Sequence, residues 1–115
     1  TALLIRRGYR VYRPEADVEG EDLVLRSPER RLLLVQLKGR LTVNDASYGG
    51  DRTILMLFPD RPFDGAKRDW FLVPHGDLLT IMRKRHGHTE NWKDAWTIRT
   101  VPKQVRPLLE KFQIL

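Results

Sequence analysis

Between Asp22 and Lys38 the chain alternates in a way that suits two strands and a turn. Leu23 to Arg26 and Leu32 to Leu37 are rich in Leu and Val, and Ser27-Pro28-Glu29-Arg30 between them carries turn residues, with Pro presetting φ. Pairing Arg26 with Leu32 sets Val24 opposite Leu34 and Asp22 opposite Gln36. Facing residues project to one side of a sheet, and Lys38 joins Gln36 because residues two apart share a face. The other side is then Leu23, Leu25, Leu33, Val35 and Leu37, an apolar surface that calls for a helix over it. A one-residue slip would reverse the faces and bring Glu21 opposite Gln36 instead.

The same patterning organises the rest of the chain. Ala2-Leu3-Leu4-Ile5 before Gly8 predicts the end of a helix, and Tyr9-Arg10-Val11-Tyr12 a strand stopped by Pro14. Gly39-Arg40 and Val43 to Gly50 read as a polar connection. Thr53 to Phe58 is an apolar run, Pro59 to Lys67 a loop, and Trp70 to Val73 a buried strand. Pro74-His75-Gly76 leads to Asp77 as N-cap of a helix whose apolar face is Leu78, Leu79, Ile81 and Met82, closing at Gly87. Trp96 to Val101 suits a last short strand. A helix starting near Arg106, with Pro107 at its first position, would bury Leu108, Leu109 and Phe112. The expectation is one α+β domain over residues 1–115, of α/β/α type, with a central mixed sheet of about five strands flanked by helices. The first apolar segment is short and opens on Thr1, so its helix is expected to begin upstream.

Composition adds a partner class. Twenty-one Lys and Arg against fifteen Asp and Glu leave a net charge of +6, a balance suited to a polyanion such as nucleic acid. Five acids nevertheless crowd between Glu15 and Asp22, and one or two of them can line a cation site. The absence of Cys excludes disulfides and thiolate metal sites. No apolar run reaches the roughly 20 residues of a membrane span. The expected location is the cytoplasm.

Chemistry concentrates at the hairpin. A carboxylate on one strand, with an amide oxygen and a lysine two residues apart on the next, can hold a divalent metal beside an ammonium that orients water. Helix, Gly-Tyr-x-Val strand, Asp22-Leu-Val and Val35-Gln-Leu-Lys-Gly-Arg40 together resemble the core of the PD-(D/E)xK nuclease superfamily, the restriction-endonuclease-like fold. The resemblance runs over roughly residues 3–40, and Trp70 to Arg83 resembles the strand and helix that commonly follow. It implies a metal-dependent endonuclease that hydrolyses DNA phosphodiester bonds, with Asp22, Gln36 and Lys38 as catalytic residues. Mg²⁺, or Mn²⁺, would be held by Asp22, the Gln36 side chain and the Leu37 carbonyl. Gln36 stands where an acid is usual, and the first helix lacks the Glu that members often supply there. Arg40, Tyr48 and Arg52 are the expected nucleic-acid contacts, with DNA as the first partner, RNA as the second, and a dimer compatible with both.

Two other function classes fit the same residues. One is a non-cleaving nucleic-acid-binding module on this fold; the other is a protein-interaction domain of a bacterial defence or toxin system. Among secondary candidates, Arg83-Lys84-Arg85-His86 falls in the last turn of a predicted helix, where cations complement the macrodipole as readily as they meet DNA. His86 and His88 suit surface positions. His75 reads as a turn histidine that could approach a phosphate. Trp70, Trp92 and Trp96 suit core packing more than base stacking. No GxxxxGK loop and no nucleophile elbow occur.

Overall fold

The structure, a computed structural model, describes residues 2–12, 23–48 and 54–114. In chain order these form α1 (Ala2–Arg6), β1 (Arg10–Tyr12), β2 (Leu23–Arg26), β3 (Leu32–Leu37), β4 (Leu41–Asn44) and α2 (Asp45–Tyr48). β5 (Leu55–Pro59), β6 (Trp70–Pro74), α3 (His75–His86), β7 (Ala95–Ile98) and α4 (Arg106–Leu109) follow, with a 3-10 turn over Glu110–Phe112. The fold is α+β, as expected, around a five-stranded mixed sheet of order β1-β2-β3-β5-β6. β3 and β5 are parallel, and the other neighbours antiparallel. Parallel neighbours need a crossover, and here it runs through β4 and α2.

The β2–β3 register is the expected one, with Arg26 opposite Leu32 and Val24 opposite Leu34, which excludes a one-residue slip along the described strand. Its turn is fixed by the Arg30 N–H donating to Ser27 O at 2.8 Å and the Arg31 N–H donating to Ser27 Oγ at 3.2 Å. Arg30 adopts φ 65° to close it. The turn that follows α1 contains Gly8, whose φ of +90° a side chain would strain.

Alternation along the strands divides the apolar residues between two cores. Leu23, Leu25, Val35, Leu57 and Leu72 fill one face and are covered by Leu4 of α1, the helix that this surface called for. Met56, Phe58, Phe71 and Val73 fill the other, beneath α3, α4 and a second sheet formed by β4 and β7. Burial of this second face is nearly complete, with Met56, Phe58, Phe71, Val73, Leu78, Met82 and Leu109 all at 0 % exposure.

Four details depart from the sequence-based expectations. The segment read as a polar connection after Lys38 contains β4, whose Leu41 and Val43 are buried while Thr42 and Asn44 alternate outward. α3 starts at His75, so Asp77 lies inside its first turn and Pro74 takes the cap position without a side-chain hydrogen bond. The last strand is Ala95–Ile98 and pairs with β4, not with the main sheet. In α4, Leu109 is buried but Leu108 is 52 % exposed. Consecutive residues stand about 100° apart on a helix, and here the core lies on the Leu109 side of the turn.

Candidate functional site

All five strands of the main sheet bring chain to one common end. β1 leaves at Tyr12, β2 enters at Leu23, β3 leaves at Leu37, β5 leaves at Pro59, and β6 enters at Trp70. Gln36 and Lys38 lie at this end. Leu23 pairs with Val35, the rung adjoining the expected Asp22–Gln36 pair. Glu15, Asp17, Glu19, Glu21 and Asp22, and also Arg52, lie outside the described residues.

Gln36 is 6 % exposed and stands beside Met56 in the parallel β3–β5 register, at the margin of the larger core. Lys38 follows β3 directly. Its N–H donates to Leu57 O at 2.9 Å, which carries the ladder one step further and fixes the residue against β5. The side chain is half-buried, and its Nζ lies 5.5 Å from the centroid of the Tyr48 ring, within the range of a cation–π contact. Arg40 is exposed at the bend into β4.

Tyr48 closes α2 and is itself held from below. Its ring meets His75 edge to face at 5.4 Å and 71°. His75 is 3 % exposed, and its Nε2 accepts the Asn44 N–H at 3.0 Å. An accepting Nε2 leaves the proton on Nδ1, so the ring is neutral. Burial pushes its pKa below the ordinary value, and the nearby Asp45 carboxylate only partly opposes this. His75 is therefore neither a turn histidine nor a phosphate contact; it locks the end of β4 to the start of α3. Sequence reasoning missed this role, and the one signal available was a histidine placed two residues after the apolar run Trp70–Val73, beyond Pro74.

The contacts make a continuous series from Asn44 through His75 and Tyr48 to the Lys38 ammonium. Tyr48, expected to touch nucleic acid, is half-buried and sits between Lys38 and His75. The basic end of α3 is engaged as well. Arg83 pairs with Asp94 at 3.0 Å, Arg85 reaches Gln104 at 3.5 Å, and the His86 ring stacks on Trp96 at 4.3 Å and 12°. Trp92 and Trp96 pack against the larger core and Trp70 against the smaller, as the sequence suggested.

The candidate donors for a metal are an amide oxygen, a main-chain carbonyl and the Asp22 carboxylate, all hard oxygens of the type that Mg²⁺ takes. Among the described residues no group of three His, Cys, Asp or Glu side chains is placed to hold a metal, so a charged cation site here depends on the carboxylates between Glu15 and Asp22. Among the described residues no helix is long and apolar enough to cross a membrane. No protein-family model, no curated protein and no solved structure matches this chain.

Proposed function

We propose that the protein is a Mg²⁺-dependent nuclease acting on DNA. The observation that carries this reading is the β2–β3 register, which puts Gln36 on the rung next to the start of β2 and delivers Lys38 to the same end of the sheet. Asp22, the Gln36 amide and the Leu37 carbonyl would hold the metal. A bound Mg²⁺ would polarise a phosphoryl oxygen and acidify a water. Lys38 would neutralise charge developing on phosphorus, with its ammonium steadied by the Tyr48 ring. Arg40, exposed beyond it, would grip a neighbouring phosphate as a planar fork.

The test is incubation of plasmid and of single-stranded DNA with the protein in Mg²⁺ or EDTA. Cleavage is expected in Mg²⁺ only, with a loss of about 100-fold or more in Lys38→Ala. Intact DNA under every condition, or equal cutting by Lys38→Ala, would overturn the reading.

A second reading is a nucleic-acid-binding module that does not cut. It is favoured by Gln36, which brings no charge, and by the lack of any acid in α1. Its signature is binding that weakens steeply with salt and leaves every strand intact.

A further inference from the structure

The β5–β6 loop, residues 60–69, rises from the sheet end that bears Lys38. β5 lies beside β3 and β6 beside β5, so the loop starts one strand spacing from Lys38 and finishes two away, roughly 5 and 10 Å. At its tip Phe63 is 73 % exposed, the most exposed large apolar side chain among the described residues. The Arg68 guanidinium lies 5.2 Å from the Phe63 ring and 5.0 Å from the Trp70 ring, bridging the two aromatics.

The loop is built to stay in shape. Asp64 Oδ1 accepts the Ala66 N–H at 3.0 Å, Gly65 takes φ +90°, and Arg61 donates to Lys67 O at 2.9 Å. At its base Asp60 accepts the Asp69 N–H at 3.2 Å and an Arg106 N–H at 3.1 Å, and Arg106 also pairs with Asp69. The three carboxylates of the loop are thus occupied by Arg61, Arg106 and main-chain N–H groups. Lys67 stays exposed, and with Arg106 at the base the loop's three cations become four against three acids. A phenyl ring held in water by a loop this internally bonded contributes nothing to either core, and it stands beside cations that suit phosphates.

We infer that this loop is a stacking platform for unpaired bases of a nucleic-acid strand. Phe63 takes a base face, and Lys67 and Arg68 meet the flanking phosphates as the strand passes toward Lys38. Aromatic stacking beside cations suits single strands of any sequence, because every base has a π-face. The inference shares the nucleic-acid partner of the proposed function and does not depend on its chemistry.

The test is fluorescence anisotropy in EDTA, with a labelled single-stranded oligonucleotide and a duplex of the same sequence. Phe63→Ala is expected to weaken single-strand binding about tenfold with little change in its salt dependence. Phe63→Trp is expected to restore affinity and to show quenched indole emission on binding. Lys67→Ala is expected to lower the salt slope by about one charge. Unchanged single-strand affinity in Phe63→Ala, or equal losses on single strand and duplex, would overturn the inference. Cleavage that needs Lys38 but not Phe63 would leave the nuclease reading standing alone. Phe63-dependent binding without cleavage would leave the platform standing alone.

Discussion

The face of the sheet that carries Phe58 and Phe71 lies under α3, α4 and the β4–β7 sheet, whereas the face that carries Leu25 and Val35 is covered by Leu4 of the five-residue α1. The first face is the more completely buried, since Leu33, Leu37 and Leu55 on the second stay half-buried, and the covers differ in size and in anchorage. A twelve-residue helix whose His75 N–H donates to the carbonyl of Ile54, just ahead of β5, is hard to displace. A short helix has little stability of its own and stays in place through one or two packed side chains. The larger core also extends to the candidate site, since Gln36, Tyr48 and His75 lie at its margin. The smaller core faces away from it.

The strongest way to break this contrast is to truncate one buried side chain in each core. Phe71→Ala is expected to cost about 3–5 kcal/mol and Leu4→Ala about 2 kcal/mol, because the short helix can shift into the space it leaves. Urea unfolding of both variants measures the difference, and an equal or larger loss in Leu4→Ala would mean that the two covers are equivalent.

A smaller effect sharpens the link between the larger core and the site. His75 is neutral in the fold with its pKa held below the ordinary value of 6.5, chiefly by burial. Between the ordinary and the lowered value the unfolded chain binds a proton that the native chain does not, so this contribution is complete above about pH 6.5 and is lost as the pH falls below it. Wild type is therefore expected to lose stability from pH 7 to pH 5. His75→Gln should show a shallower loss over that interval. Urea midpoints at the two pH values decide the matter. Identical slopes would show that His75 does not sense pH.

The least effect is expected in α4. Leu108→Ser should change stability by less than about 0.5 kcal/mol, since the side chain is 52 % exposed. Its neighbour Leu109, at 0 % exposure in the larger core, should cost several-fold more when cut to Ala. Thermal melts of the pair test whether the larger core reaches as far as this helix.

Local pattern was enough for much of the architecture. The alternation of residues 23–37 and the length of the Ser27–Arg31 turn determined the β2–β3 register, because a slip by one would have exposed Leu23, Leu25 and Val35 together. The apolar spacing of Leu78, Leu79 and Met82 likewise marked α3. The placement of Gln36 and Lys38 at one end of β3 was legible for the same reason, as a strand's period of two is a property of its backbone. Tertiary structure alone decided what lies far apart in sequence. β4 is four residues long, and its Thr42 meets Thr97 across 55 positions, a pairing that short-range alternation does not encode. The burial of His75 and the seat of Tyr48 under Lys38 follow from where α2 and α3 pack, and the choice between Leu108 and Leu109 from which side of one helical turn reaches the core. Each depends on contacts between distant segments, whose closure cost is met by the combined burial of the assembled core and not by any local preference.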